Sequence, residues 1–158
     1  MRSTENIIST KTIAALTLLF CLLTACTTSP PPLRGEGFVV PLTYKKITSY
    51  FGPRDGRPHR GVDFSADRGT RVWASAPGRV TFVGRQRGYG RIVILDHENG
   101  MESYYAHLSA FSVREGQRVA QGHPIGKVGA SGNATGPHLH FEIRQDGVAI
   151  DPMRFLPL

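Results

Sequence analysis

Apolar and polar residues alternate along this chain in short stretches, each of which ends at a turn-forming residue. The segment "ITSYFG" alternates and stops at Gly52-Pro53, and "HLHFEIRQ" alternates before Asp146-Gly147. No window sustains the 3.6-residue apolar period of an amphipathic helix, whereas alternation is typical of half-buried strands. Eighteen glycines and eleven prolines are spread along the chain and favour tight turns. The pattern predicts an all-β or mostly-β domain.

The clearest predicted hairpin has Asn99-Gly100 at its tip, flanked by "RIVILDHE" and "MESYYAHLS". This dipeptide suits a two-residue turn that needs positive φ at both positions. With a two-residue loop, Glu98 faces Met101, and counting back places Ile92 opposite His107. We expect His97 near this tip to be solvated and to face away from His107.

Two histidines occupy alternate positions in "TGPHLHFEI". On a strand, His138 and His140 point to the same face, about 6–7 Å apart, while Leu139 and Phe141 point to the other. A surface strand with one polar side has the same pattern. The pair alone therefore leaves the function of this strand open.

The N-terminus has the pattern of an export signal. Arg2 and Lys11 precede the apolar segment "TIAALTLLFCLLT", which is too short for an ordinary transmembrane helix. The segment ends in "LLTAC", which looks like a bacterial lipobox with Cys26 as the lipidated residue. The alternatives are an ordinary secretory signal cut nearby and an uncleaved anchor. We predict a signal peptide over 1–25, a lipidated cysteine with a Pro-rich linker over 26–44, and a domain over 45–158.

Cysteine count and charge refine this picture. The chain has two cysteines, and cleavage before Cys26 leaves one, so the mature chain has no disulfide. Loss of 1–25 removes two basic residues and one acidic residue, so the formal charge falls from +7 to +6. A basic exported protein can meet anionic polymers such as lipopolysaccharide, teichoic acid or the carboxylates of peptidoglycan. Export also argues against nucleic acid as a partner.

Two further polar clusters lie upstream of the paired histidines. The motif "HRGVD" places His59 and Asp63 four residues apart, and "YYAHLS" contains His107. Imidazole and carboxylate are ligands of Zn²⁺, which takes three protein ligands and a water in catalytic sites. Such a zinc lowers the pKa of its water and polarises a carbonyl. The chain has no His-Glu-x-x-His motif, so histidine is the natural candidate for the base. His123, which precedes Pro124 in a turn, is expected to be solvated.

In order and spacing, "HRGVD", "YYAHLS" and "GASGNATGPHLHFEI" resemble the M23 (lysostaphin/LytM-type) zinc metallopeptidases of peptidoglycan. The resemblance begins near residue 47 and continues to the C-terminal "DPMRFLPL". It implies a single compact all-β domain of antiparallel sheets around an open groove, similar to a hybrid-motif sandwich or barrel. It implies one Zn²⁺ held by His59, Asp63 and His140, with His107 and His138 as the catalytic pair.

The same resemblance implies a zinc-dependent endopeptidase that cuts peptide cross-links of peptidoglycan, with a zinc-bound water as nucleophile. The expected partners are peptidoglycan stem peptides and, through Cys26, a membrane; we expect a monomer. Thr27 after the cysteine favours the outer membrane of a diderm, facing the periplasm, where the enzyme would meet D-alanyl–diaminopimelate cross-links. A monoderm host would offer other bridges, and the sequence does not name the host. One alternative is a non-catalytic activator of amidases, although such relatives lack some zinc residues and this chain lacks none. Another is a phosphocarrier domain, which the export signal contradicts.

Overall fold

The computed structural model describes residues 37–54 and 56–157. The predicted signal peptide and Cys26 lie outside the described residues. No helix within the described part of the chain is long and apolar enough to cross a membrane. The described part contains eleven strands and one short 3₁₀ helix. In chain order they are β1 (Lys46–Ser49), β2 (Val62–Ser65), β3 (Arg71–Trp73), β4 (Gly78–Gln86), β5 (Gly90–Asp96), β6 (Met101–Ala106), β7 (Leu108–Phe111), β8 (Arg118–Val119), β9 (Pro124–Val128), β10 (His138–Gln145), β11 (Val148–Ile150) and the 3₁₀ helix Pro152–Arg154.

The strands form two sheets, and every strand pair is antiparallel. The larger sheet has the order β1-β2-β10-β6-β5-β4-β8, with β11 also paired to β10, and the smaller has the order β3-β9-β7. β10 lies inside the larger sheet because β2 pairs with its first half, β11 with its second half, and β6 runs along its other edge. The prediction of an all-β domain of antiparallel sheets is confirmed.

The main core lies between the two sheets. β10 contributes Leu139, Phe141 and Ile143, all fully buried, and the smaller sheet contributes Leu108 and Ile125. The intervening residues of β10 face the other side of the larger sheet, as the alternation predicted. One strand therefore supplies the core on one face and polar groups on the other.

Residues that precede β1 also pack on this core. Leu42 is buried, and Phe38, Val40 and Tyr44 pack against the main cluster. The amide of Trp73 donates a hydrogen bond to the carbonyl of Pro41 over 2.7 Å. The compact region therefore reaches N-terminal of residue 45, while the extent of the lipid-side linker stays a prediction.

The hairpin between β5 and β6 differs from its predicted register by one residue. Asp96 is opposite Glu102 and Val93 is opposite Tyr105, so the expected pairing of Ile92 with His107 is wrong. The same register, continued, brings Ile92 to Ala106, with which it shares a small apolar cluster. The cause is a loop of three residues, 98–100, all with positive φ. One additional loop residue moves every pair along the hairpin by one position.

His97 is not solvated, contrary to the prediction. Its Nδ1 lies 2.8 Å from the carbonyl oxygen of Pro77 and its Nε2 lies 2.6 Å from Oγ of Ser103. The ring of Phe38 packs edge-on against it, with centroids 5.1 Å apart. The N-terminal segment therefore covers a histidine that the hairpin alone would leave in water. His123, also predicted to be solvated, is instead half-buried at its turn, with its Nε2 3.3 Å from Nε2 of Gln117.

Candidate metal centre

Three side chains meet at one point on the polar face of β10. His140 in β10 lies directly opposite Asp63 in β2, so strand pairing puts both side chains on the same face. His59 precedes β2, and two main-chain hydrogen bonds with Gly52, of 2.8 and 3.0 Å, hold it there. We call His59, Asp63 and His140 the ligand triad; all three are buried.

Close strand packing at the triad depends on Gly61. A Cβ at this position would overlap the main-chain carbonyl of Phe141 in β10. Glycine therefore lets the "HRGVD" segment lie directly on β10 and brings His59 to His140. This explains why the motif has glycine between its two polar residues.

The triad atoms are close enough to share one ion. Nε2 of His59 lies 3.1 Å from Oδ1 of Asp63 and 3.1 Å from Nδ1 of His140, and the latter two atoms are 2.8 Å apart. Ligands on a tetrahedral zinc with bonds of about 2.0–2.1 Å lie about 3.3 Å from one another. The spacing of the triad is slightly tighter and of the right size for zinc.

Hydrogen bonds behind the triad orient its lone pairs towards this point. Nδ1 of His59 lies 2.7 Å from the carbonyl oxygen of Tyr50, and Nε2 of His140 lies 2.9 Å from Oε1 of Glu142. Each of these oxygens accepts an N–H, so in the neutral histidines the opposite ring nitrogen has no proton. Two imidazole lone pairs and a carboxylate oxygen then face one another. Such a set can hold a cation, and its donor chemistry fits zinc.

The pKa shifts in the triad reflect how close its groups lie. Burial alone would raise the pKa of Asp63, but hydrogen bonds from His140 and His59 in their protonated states outweigh it and hold the pKa well below its usual range. Burial alone would lower the pKa of His140, but hydrogen bonds to Asp63 and Glu142 raise it. The guanidinium of Arg54 also lies 2.9 Å from Oδ2 of Asp63. The carboxylate is thus held ionised and fixed in orientation.

The other two predicted site residues, His107 and His138, lie beside the triad, and we call them the imidazole pair. Their ring centroids are 4.7 Å apart, and Nε2 of His138 is 3.9 Å from Oδ1 of Asp63. Nδ1 of His107 lies 2.7 Å from the carbonyl oxygen of Ser131, and Nδ1 of His138 lies 2.9 Å from that of Gly136. In the neutral state each ring therefore presents an unprotonated Nε2.

The backbone at His107 is what turns its ring to this side. In β6, Tyr105 points into the core and Ala106 to the opposite face, so continued alternation would direct residue 107 inward. His107 instead has φ of +61°, a left-handed conformation that is uncommon for residues other than glycine. Burial, opposed by the hydrogen bond to Ser131, lowers the pKa of His107 to about 4. The structure thus brings together all five polar residues predicted from the sequence.

The five residues line an open groove of about 580 Å³. One wall comes from the segment between β1 and β2, and a second wall includes Asn133 and Thr135 from the segment between β9 and β10. The turn from β4 to β5 supports this second wall, because the amide of Asn133 donates to the carbonyl of Gly88 over 2.9 Å. His107 and His138 are among the residues that line the groove, so the imidazole pair is accessible from it.

Sequence reasoning missed a second layer of charged residues behind His140. Glu142 is fully buried and accepts hydrogen bonds from the hydroxyl of Tyr89 at 2.7 Å and from Nε of Arg144 at 2.8 Å. Arg144 also lies 4.0 Å above the ring of Tyr104. Alternation along β10 could have predicted that Glu142 lies beside the two histidines, because residues 138, 140 and 142 share one face. A carboxylate behind a ligating histidine fixes the orientation and basicity of that ring.

Comparisons with known proteins agree with this geometry. The sequence model of peptidase family M23 matches residues 57–152, more than half of the chain. The DD-carboxypeptidase/endopeptidase Mpg of Neisseria meningitidis serogroup B is 49% identical over 76% of this chain and 29% of its own length. The lipoprotein YgeR of Escherichia coli is 38% identical over 80% of this chain and 50% of its own length.

Another relative and a solved structure extend the comparison. The murein hydrolase activator NlpD of Escherichia coli is 38% identical over 73% of this chain and 30% of its own length. The crystal structure of a zinc-containing peptidase from Vibrio cholerae superposes with a TM-score of 0.72 and 34% identity, over 78% of this chain and 41% of that one. The chain thus spans half or less of the length of these proteins. The match over residues 57–152, together with the shared fold, shows that this chain belongs to peptidase family M23.

Proposed function

We propose that this chain is a zinc-dependent endopeptidase that hydrolyses peptide cross-links of bacterial peptidoglycan. The observation that carries the proposal is the convergence of three buried ligand atoms, 2.8–3.1 Å apart, beside two further imidazoles in an open groove. Similarity to the endopeptidase Mpg and to a zinc-containing peptidase supports it.

In this proposal His59, Asp63 and His140 hold one Zn²⁺. When bound, zinc activates a water molecule and polarises the carbonyl of the scissile peptide bond. Glu142 and the carbonyl of Tyr50 keep the two imidazoles in the tautomers that present lone pairs to the metal. Arg54 holds the second oxygen of Asp63 and keeps that carboxylate in place.

His107 and His138 are the proposed catalytic pair. Each ring is oriented through its Nδ1 and presents Nε2 to the groove. A neutral Nε2 can accept the proton that the attacking water releases, and a protonated one can donate to the carbonyl oxygen or to the leaving amine. The chain needs both a proton acceptor and a donor for hydrolysis, and the pair supplies two groups of the required type.

Digestion of purified sacculi tests the proposed reaction. The zinc-loaded full chain should convert cross-linked muropeptides to monomers, with the D-alanyl–diaminopimelate bond cut and a new amine exposed, as mass spectrometry of the products would show. Asp63→Ala is the matched inactive control. Release of amino sugars with intact cross-links, or no change in the sacculi, would contradict the proposal.

The alternative function is activation of a separate cell-wall amidase, which similarity to the murein hydrolase activator NlpD favours. This function does not need a metal. The complete ligand triad counts against it, because an activator has no use for three converging ligand atoms. Stimulation of a purified amidase by the Asp63→Ala variant, with no cleavage by the wild-type chain, would favour the activator.

We further propose that a lipid on Cys26 anchors the chain in the cell envelope, in the outer membrane facing the periplasm, where it acts as a monomer. Similarity to the lipoprotein YgeR supports lipidation. Cys26→Ser should move the protein from the membrane fraction to the soluble fraction and leave cleavage unchanged, because the lipid anchors and takes no part in hydrolysis. Persistence of this variant in the membrane pellet would show that the segment 12–24 is itself the anchor.

A further inference from the structure

The segment between β1 and β2 contributes three arginines to one wall of the groove. Arg54, Arg57 and Arg60 all line the cavity, next to the ligand triad. All three are exposed to solvent. The segment between β9 and β10 contributes the neutral residues Asn133 and Thr135. The arginines among the described lining residues therefore all come from the one segment between β1 and β2.

Of the acidic residues described in the groove, one pairs with Arg54 and none pairs with Arg57 or Arg60. Among the described lining residues only Asp63 and Glu142 are acidic. Asp63 is engaged by the two triad histidines and Arg54, and Glu142 is fully buried with His140 and Arg144 as partners. Within the described part of the chain, no carboxylate forms an ion pair with Arg57 or Arg60.

The three arginines differ in the groups that they contact. Arg54 is committed to a carboxylate of the chain itself, at 2.9 Å. Arg60 follows the metal-site residue His59 directly in sequence and lies close to the hydroxyl of Tyr89. Arg57 is on the same wall, two residues before His59. Arg57 and Arg60 are thus two exposed arginines in the lining of the groove that also contains the ligand triad.

We propose that Arg57 and Arg60 form a subsite that binds a free carboxylate of the peptide in the groove. The inference rests on the proposed function, because it assigns part of the substrate. Guanidinium groups bind carboxylates through paired, charge-assisted hydrogen bonds. Peptidoglycan stem peptides carry carboxylates on their internal acidic residues and at their free C-terminus. The subsite selects stem peptides in which a carboxylate near the scissile bond is not amidated.

Peptide binding tests this subsite separately from catalysis. NMR titration of the zinc-loaded full chain with a stem tetrapeptide L-Ala-γ-D-Glu-diaminopimelate-D-Ala measures affinity with or without cleavage. Two further peptides have either the internal carboxylates or the C-terminal carboxylate converted to amides. We expect one of these amidations to weaken binding about three- to tenfold, because it removes a partly exposed ion pair. The difference in affinity should be smaller at high salt, which screens exposed charges. The peptide that weakens identifies the carboxylate.

Variants distinguish the subsite from general attraction by a basic protein. The double variant Arg57→Gln/Arg60→Gln should bind the free-acid peptide as weakly as the wild type binds the amidated peptide. Its affinity should no longer differ between the free-acid and amidated peptides, and its zinc content should be unchanged. Arg118→Gln is the matched control, since Arg118 is an exposed arginine in β8 that does not line the groove. It should behave as wild type.

The outcomes separate this inference from the proposed function. Equal affinity for all three peptides, absence of binding, or retained discrimination in the double variant would overturn the subsite, whether or not the chain cleaves sacculi. Carboxylate-dependent binding without any cleavage would leave the subsite in place and contradict only the endopeptidase proposal.

Discussion

The ligand triad and the imidazole pair share one groove but are backed by different kinds of partner. Behind two of the triad residues stand charged groups, Glu142 on His140 and Arg54 on Asp63, while His59 is backed by the carbonyl of Tyr50. Among the described residues, each ring of the imidazole pair is backed by a main-chain carbonyl, that of Ser131 or Gly136.

The difference matters because charge and dipole have different effects on an imidazole. A carboxylate behind a ring raises its basicity and stabilises it with a cation in front. A carbonyl fixes the tautomer and the orientation with a smaller electrostatic effect. The charged backing of Asp63 and His140 thus favours a cation in front of them, and the carbonyl backing of the imidazole pair is compatible with the proton transfer proposed for it.

The largest effect is expected on removal of a triad residue. Asp63→Ala and His140→Ala should each lose bound zinc and all measurable cleavage, because two protein ligands are too few for a stable zinc site. Metal analysis of the purified variants, with circular dichroism to verify the fold, measures this. His123→Ala is the control for loss of a histidine outside the groove. Zinc retained at wild-type level in both variants would overturn the ligand assignment.

Removal of a ring of the imidazole pair should instead separate zinc from activity. His138→Ala and His107→Asn should keep full zinc content and lose about 10²–10⁴-fold in kcat, the usual loss for a proton-transfer group. Asparagine is chosen at position 107 because it tolerates the left-handed backbone there better than alanine does. Zinc content, melting temperature and turnover are measured on the same samples.

A structural role for His107 predicts a different result. In that case the variant would melt at a lower temperature and keep its turnover per folded molecule. Near-normal turnover in either variant would remove that residue from the mechanism and erase the functional distinction between the two groups.

A smaller effect is expected from changing the backing of the triad while all three ligands remain. Glu142→Gln keeps the shape of the side chain and removes its charge, so the Kd for zinc should rise about 10–100-fold. Competition with a chromophoric chelator measures this Kd without reference to activity. Tyr89→Phe is the matched control, because it removes one hydrogen bond to Glu142 and leaves the carboxylate charged. Unchanged zinc affinity in Glu142→Gln would mean that the charge behind His140 is not needed.

Local sequence determined that this segment forms a strand and which residues lie on each face of β10. Strict alternation in "HLHFEI" is sufficient to put Leu139 and Phe141 in the core and His138 and His140 on one polar face, since side chains of a strand alternate whatever the strand pairs with. The resemblance to M23 peptidases, carried by three motifs, supplied the assignment of roles. Spacing alone did not distinguish ligand from catalytic histidine.

Tertiary structure decided the features that depend on groups distant in sequence. The β5–β6 loop has three residues instead of two, and the carbonyl of Gly100 accepts a hydrogen bond from the amide of Asp146 in the neighbouring hairpin. His107 reaches the groove only because its backbone is left-handed, with its amide bonded to the carbonyl of Tyr89. Neither contact is visible in a local pattern.

The charged residues behind His140 show most clearly what local sequence determines and what tertiary structure adds. Alternation predicts that Glu142 shares a face with His140, but not that it is completely buried. A buried carboxylate is stable only when it is paired and hydrogen-bonded. One partner of Glu142, Tyr89, lies in the turn between β4 and β5, and the other, Arg144, lies two residues further along β10. The sequence determined which residues face the groove, whereas the packing of strands around them decided which have charged partners behind them and which have main-chain carbonyls.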